Sequence, residues 1–311
     1  MSRLSQIDAN LLVALDVLLD ERHVTRAAQR LGVTQSAMSQ TLQRLRAALD
    51  DPVLVRSGGR MVATPRAEAM VGPLRIALRG LEKLLAGEQA FDPARAERTF
   101  RLTSLDTYAS NVIPRLLRRL AEGGADLGLD VTPLDRDRVW DHLRGGDCEL
   151  AIIGPWDHPS DMASAPLLRE RMVGMVRAGH PILDGPIDPA AYVRWPHVVT
   201  RITGRGDYPI DRRLAALGVA RRVVGCTPYF LAAPSVVCGG DLIVTLPRTA
   251  ALTFAAHWPV ALFDPPLGSP MTYTVHLAWP EFLGTDAGHR WLRQTMLDIG
   301  RDIEAQGRDR P

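Results

Sequence analysis

The sequence predicts an α/β protein headed by a small all-α domain that carries a two-stranded wing. Three observations predict it. Apolar residues recur at helical spacing through the first fifty positions, two short apolar runs flank Gly58-Gly59, and from about residue 98 strand and helix patterns alternate. The chain has 311 residues, enough for two or three domains, and its 46% hydrophobic and 23% charged content is ordinary for a globular protein. Residues 1–64 form the first domain in this reading, 65–90 a connecting helix and hinge, and 91–311 the α/β part.

The elements follow in order. Within "DANLLVALDVLLDE" (8–21), Leu11, Leu12, Leu15, Leu18 and Leu19 mark one helix, with Asp8 as its N-cap. "VTRAAQRLG" predicts a second, short helix capped by Thr25 and stopped by Gly32. Thr34 caps a third helix over 35–49. The run Val53-Leu54-Val55 after Asp51-Pro52, the Gly58-Gly59 turn and Met61-Val62 predict the wing. Thr64-Pro65, an N-cap followed by proline at the first helical position, opens a long helix. Val71, Leu74, Leu78, Leu81 and Leu85 lie along it at spacings of three and four, a seam that would pair the helix with a copy of itself. Packing on its own domain is the alternative. A proline inside a helix costs about 3 kcal/mol, so Pro73 predicts a kink. "GEQAFDPARAE" (87–97) reads as a hinge.

Beyond the hinge, strands are predicted at 100–104, 127–133, 149–153, 164–168 and 171–177, with helices at 108–122 and 138–144. A second series has strands at 197–200, 221–226 and 242–245 and helices at 210–217, 229–238 and 248–255. Strands at 260–263 and 272–278 and a helix at 286–304 close the chain. These patterns predict two doubly wound α/β subdomains with a cleft between them: subdomain I about 98–163 and 268–305, subdomain II about 164–267.

The third helix carries the most telling chemistry. "LGVTQSAMSQTLQRLR" (31–46) holds five Gln or Ser residues and two Arg, where a merely solvated helix favours Glu and Lys. At 100° per residue, Met38, Leu42, Leu45 and Leu49 fall within an arc of about 60°, which leaves Ser36, Ser39, Gln40 and Gln43 on the remaining faces. Two helices joined by a tight glycine turn make a helix-turn-helix, whose second helix enters the DNA major groove. Reading base edges needs groups that both donate and accept, which Gln and Ser supply and Glu and Lys do not. Thr34, Gln35, Ser36, Ser39, Gln40 and Gln43 are the candidate readers, and Arg44, Arg46, Arg56 and Arg60 the candidate phosphate or groove contacts. From Arg22 to Arg66 eight arginines stand against Asp50 and Asp51, although the whole chain carries only +2. That concentration is an electrostatic footprint for a phosphate backbone.

Residues 8–70 resemble the winged helix-turn-helix of the LysR-type transcriptional regulators. The resemblance lies in Ala27-Ala28, Leu31-Gly32-Val33, Thr34-Gln35, Ser36-Ala37, Ser39, Leu42, Leu45, Arg56 and Thr64-Pro65. "FRLTSLD", "ELAIIG", "VRAGHPI", "DLIVTLPR" and "WLRQ" extend it, in order, over nearly the whole chain. Leu42-Gln43 in place of Leu-Glu, the "RLR" ending and Pro73 resemble the branch of nodulation and aromatic-degradation regulators. The resemblance implies a linker helix that dimerises two chains within a tetramer, an effector domain like a periplasmic binding protein, and double-stranded DNA and a small molecule as partners. RNA polymerase is a further candidate partner.

In that family the effector lies between the subdomains, in keeping with ligand binding at the carboxyl ends of parallel strands. The candidates here are Thr103 and Ser104, Pro155, Thr200, Arg201 and Thr203, Tyr229 and Phe230, and Thr245. Hydroxyls beside free helix N–H groups and an Arg fork suit an anion, and Tyr229 and Phe230 suit a ring.

Other classes fit less well. No nucleophile elbow, phosphate loop or dinucleotide fingerprint is present, so no enzyme and no cofactor is expected. None of the eight histidines falls at metal-ligand spacing from another His or a Cys. Cys148, Cys226 and Cys238, odd in number and far apart, predict buried free thiols in a reducing cytoplasm. No apolar run is long enough to span a membrane, and Asp8, Asp16 and Asp20 argue against a signal peptide. A solute-binding protein or a small-molecule enzyme built on the α/β half is the alternative, but neither accounts for the basic first domain.

Overall fold

The computed structural model describes residues 8–86, 91–122, 126–200 and 209–308. The chain separates into two compact units that divide near residue 90. The N-terminal unit packs three helices, α1 (Ala9–Glu21), α2 (Val24–Arg30) and α3 (Gln35–Leu49), against the start of a fourth, α4 (Pro65–Ala86). Between them an antiparallel wing pairs β1 (Leu54–Ser57) with β2 (Arg60–Ala63) around Gly58-Gly59. Leu11, Leu15, Leu18, Ala28, Met38, Leu42 and Leu45 form the core.

Local chemistry fixes the ends of these elements. The Asp8 carboxylate accepts the Asn10 N–H at 3.0 Å. The Thr34 hydroxyl accepts the Ala37 N–H at 3.1 Å, and Thr64 does the same for Ala67. Helix α2 starts one residue before Thr25: His23 is the N-cap, without a side-chain bond. Val24 packs against the core and Arg26 pairs with Glu21, so tertiary contacts rather than a hydroxyl set that start. Val53, β-branched and buried, takes a positive φ of 62°. Asp51 holds it there, accepting the Val53 N–H and the Thr64 hydroxyl, each at 2.7 Å.

Helix α4 is continuous through Pro73. Leu74 is buried in the core of its own unit, Val71 and Leu78 pack against it, and Arg75 donates to Asp16 at 2.9 Å. The first half of the expected self-pairing seam is therefore used within the chain. Leu81, further along, is exposed, and the Leu85 side chain lies outside the described residues.

The C-terminal unit is built on one mixed sheet with the order β4-β3-β5-β11-β6-β9-β7-β8. Strands β3 (Glu97–Ser104), β4 (Asp126–Pro133) and β5 (Leu150–Ile153) are parallel and make the first lobe. In the second lobe β7 (Pro196–Thr200), β8 (Arg222–Thr227) and β9 (Ile243–Pro247) are also parallel. Two antiparallel strands join the lobes: β6 (Met162–Arg177) and β11 (Thr272–Pro280). A short strand, β10 (Val260–Phe263), pairs with the end of β6.

Helices cover both faces. In the first lobe α5 (Asp106–Ala109), α6 (Ile113–Glu122) and α12 (Ala287–Arg308) bury the face of Phe100, Leu102 and Ile152, while α7 (Val139–Gly145) covers Ala151 and Ile153. Gly300 lets α12 lie on β6, where a Cβ would strike the Leu167 carbonyl. In the second lobe α8 (Pro189–Arg194) and α9 (Pro209–Ala216) pack on one side, and α10 (Ala233–Cys238) and α11 (Arg248–Ala255) on the other.

Two elements differ from the sequence reading. The expected strands 164–168 and 171–177 are one strand, β6, because the apparent polar break at Glu170 is buried and satisfied. The expected helix 108–122 is two, α5 and α6, parted where the Ser110 hydroxyl donates to the Thr107 carbonyl before Pro114. Of the cysteines only Cys148 is buried; Cys226 is exposed and Cys238 intermediate. No described helix is long and apolar enough to cross a membrane.

Candidate nucleic-acid interface and effector cleft

Gly32, at φ +66°, turns the chain between α2 and α3 in a conformation that a side chain would strain. Met38, Leu42 and Leu45 then anchor α3 in the core. Thr34, Gln35, Ser36, Ser39, Gln40, Gln43 and Arg44 are all exposed. The helix thus presents amides and hydroxyls outward along its first two turns, the half that reaches bases in a major-groove helix.

The basic cluster is narrower than the sequence count. Arg22 pairs with Glu68 at 3.0 Å, Arg26 with Glu21, and Arg30 with Asp20 and Glu21, acids that lie just outside the counted window. Arg66 donates to the Asp50 carbonyl. Arg46 donates to the carbonyls of Pro52 and Leu54 at 2.8 and 3.1 Å, so its guanidinium ties α3 to the wing. Arg44, Arg56 and Arg60 remain exposed, with no ion pair among the described residues. They sit on α3 and along the wing, flanking the row of amides and hydroxyls in sequence.

In the C-terminal unit several expected effector residues are engaged elsewhere. Thr103 and Ser104 are buried; Thr103 donates to the Thr132 carbonyl at 3.2 Å and Ser104 to that of Leu105 at 3.0 Å. Thr245 is buried 2.6 Å from the Tyr192 hydroxyl. Phe230 belongs to the core of the second lobe, whereas Tyr229 beside it is 64% exposed. Thr200 ends β7, half-buried opposite Thr227 on β8. Pro155 is exposed on the rim of a cavity. Arg201 and Thr203 lie outside the described residues.

The helix-end N–H groups expected to be free are occupied by two carboxylates that the sequence reading passed over. Asp106, at the start of α5 in the first lobe, accepts the Leu231 N–H of the second lobe at 3.0 Å. Burial pushes its carboxyl above the usual range, and the N–H bonds from Leu231, Thr107 and Phe230 oppose that shift. Glu170, on β6, is buried and accepts the N–H groups of Arg171 at 2.9 Å and Thr249 at 3.3 Å, and the Thr249 hydroxyl. It thereby caps α11, and burial is again the main cause of its raised carboxyl.

Opposite Glu170 across the strand pair stands Tyr273, bonded to Tyr108 of α5. Burial drives the hydroxyls of Tyr273 and Tyr108 to higher pKa, with the Glu170 charge adding to the effect. These groups link α5, the two crossover strands and α11. The signal in the sequence was present but faint: "SLDTY" sets an acid immediately after a strand, and "RERM" sets one inside a strand.

Comparisons with known proteins agree over the whole chain. Residues 9–68 match the family model described as the bacterial regulatory helix-turn-helix protein of the lysR family, and 93–300 match the LysR substrate binding domain. Nodulation protein D of Bradyrhizobium sp. (strain ANU 289) is 30% identical over 99% of this chain and 91% of its own length. The HTH-type transcriptional activator NagR of Ralstonia sp. is 30% identical over 95% of this chain and 98% of its own. A probable transcriptional regulator from Pseudomonas aeruginosa superposes with a TM-score of 0.70 at 30% identity, covering 94% of this chain and 97% of that one. Full-length OxyR from the same organism shares the fold, with a TM-score of 0.72 at 20% identity and 95% coverage of both chains.

Proposed function

The chain belongs to the LysR family of transcriptional regulators, and we propose that its DNA is read by the exposed face of α3 and its response set at the seam between the two lobes. Gln35, Ser36, Ser39, Gln40 and Gln43 meet base edges, with Thr34 at the helix entry. Arg44, Arg56 and Arg60 hold the backbone. The single observation that carries this division is that, among the described residues, these three arginines alone in the basic cluster have no protein partner for their charge, beside an exposed row of neutral hydrogen-bonding groups.

The effector in this proposal is a small, aromatic, anionic molecule held between the lobes. Tyr229 offers a ring face. An effector carboxylate would take the Leu231 N–H from Asp106, exchanging a bridge within the chain for one through the ligand. Exchange of that contact changes how the lobes close, and with it the spacing of two recognition helices in a dimer. The far half of α4, where Leu81 is exposed, supplies the dimer contact, and tetramers follow from further pairing. DNA, the effector and further copies of the chain, working in the cytoplasm beside RNA polymerase, complete the set of partners. No catalytic role is assigned.

The test is Asp106→Asn in the full chain. DNA affinity without effector should stay within about twofold, while the effector concentration needed for half response moves by about tenfold or more. Genomic footprinting of the unsubstituted chain supplies the operator and, through neighbouring genes, the effector to use. Loss of DNA binding in Asp106→Asn without effector would make Asp106 a folding residue and remove the exchange mechanism.

A further inference from the structure

A cavity of about 390 Å³ opens on the first lobe, lined among the described residues by the end of β5, the loop after it, β6 and β11. Among the described residues, none of those that line it belongs to the second lobe, and neither Asp106 nor Leu231 is one of them. Its apolar lining is Ile153, Pro155 and the half-buried Trp156. The polar groups are Asp157, His158, Ser164 and His276.

Their hydrogen bonds can be assigned. The Nδ1 of His158 lies 3.3 Å from the Pro159 carbonyl, which can only accept, so Nδ1 carries the proton. In the neutral ring Nε2 is then the acceptor, and the Ser164 hydroxyl, 3.1 Å away, donates to it. The Ser164 oxygen therefore faces the cavity as an acceptor. Burial, with His158 adding to the effect, lowers the pKa of His276. The wall contains one carboxylate, Asp157, and the Arg136 guanidinium lies 5.0 Å from the centre of the Trp156 ring.

We propose that this cavity is a second small-molecule site, for a neutral aromatic ring carrying a hydroxyl or N–H donor. The ring packs on Trp156, Pro155 and Ile153 and its donor bonds to Ser164. A carboxylate would meet Asp157 and the Ser164 oxygen, both acceptors, and a cation would compete with Arg136 at Trp156. A plain hydrocarbon would bring no donor to the Ser164 oxygen.

The experiment uses three probes that share one ring: 4-methylphenol, 1,4-dimethylbenzene and 4-methylbenzoate. Each is titrated into the full chain and followed by tryptophan fluorescence and by calorimetry. 4-Methylphenol should bind saturably, about tenfold more tightly than either other probe, as one hydrogen bond warrants. Ser164→Ala should weaken 4-methylphenol by about tenfold and leave 1,4-dimethylbenzene unchanged. Trp156→Phe should abolish the fluorescence response while calorimetry still detects weakened binding. The proposal is overturned if Ser164→Ala and Trp156→Phe bind 4-methylphenol as the unsubstituted chain does, or if 4-methylbenzoate binds as tightly. Binding lost in Asp106→Asn but kept in Ser164→Ala also overturns it, by placing the ring between the lobes, and leaves the effector proposal standing.

Discussion

The two units keep their working groups in opposite states. On α3 and the wing, Gln35, Ser36, Gln40, Arg44 and Arg56 are exposed and uncommitted. In the C-terminal unit Asp106, Glu170, Tyr108 and Tyr273 are wholly or partly buried and already bonded. The difference follows from the partner each must meet. A nucleic acid brings its own charges and hydrogen-bonding edges, so the protein keeps its groups free to receive them. A buried polar group is costly when left unpaired, so these four find partners within the chain.

The largest effect that would sharpen this contrast is acid sensitivity. His289 in the first lobe and His197 in the second are buried and neutral, each with Nε2 donating to a backbone carbonyl, and burial lowers both to a pKa of about 4. Unfolded histidine takes its proton near 6.5, so the unfolded chain binds more protons between those values. Stability is therefore full above about 6.5 and falls with pH until about 4, by about 3 kcal/mol for each histidine. Glu170, shifted upward, works in the opposite direction and offsets part of the loss. In the N-terminal unit the one described histidine, His23, is exposed. Calorimetric scans from pH 7.5 to 4 should show the C-terminal transition falling faster than the N-terminal one. Equal losses in both units would break the comparison.

Next in size is Glu170→Ala. It removes the acceptor of the part-buried Thr249 and Arg171 N–H groups and of the Thr249 hydroxyl, and should lower the stability of the C-terminal unit by about 3 kcal/mol. Denaturant titration read by unit checks this, with DNA binding by the N-terminal unit retained. Gln35→Ala should remove about 1–3 kcal/mol of discrimination between operator and random DNA while leaving non-specific binding alone. A competition assay at fixed salt measures that, and unchanged discrimination would take Gln35 off the bases.

The smallest effects separate two arginines that look alike in sequence. Arg56→Ala should weaken every DNA by about the same factor and reduce the slope of log affinity against log salt by about 0.9. Arg46→Ala should leave that slope unchanged and instead cost about 1 kcal/mol of stability, through the lost bonds to Pro52 and Leu54. Matching salt slopes for the two variants would show that Arg46 reaches DNA after all.

Legibility differs between the units for the same reason. The exposed polar face of α3 could be read because its requirements are local: a cap at Thr34, a turn at Gly32, a stripe of Met38, Leu42 and Leu45, and polar residues elsewhere. What misled was the charge count, because Arg22 and Arg30 are neutralised by Glu68 and Asp20, acids beyond the window that held them. The effector residues were harder. Thr103, Ser104 and Thr245 lie at or near strand ends, as expected, but their hydroxyls bond inward. Asp106 meets Leu231 across 125 residues, and Glu170 meets Thr249 across 79.

By itself the sequence determined the order of the elements, the winged N-terminal unit, the two α/β lobes and the helix whose amides and hydroxyls lie exposed. Periodicity, caps and glycine turns act over a few residues, so a linear reading captures them. Tertiary structure alone decided which polar groups are free. It joined two expected strands into β6, bound Arg46 to the wing, and set Asp106 and Glu170 on the helix ends where a ligand was expected. Whether a charge or hydroxyl is available depends on what lies within about 3 Å of it, and for most of these groups that neighbour comes from a distant part of the chain.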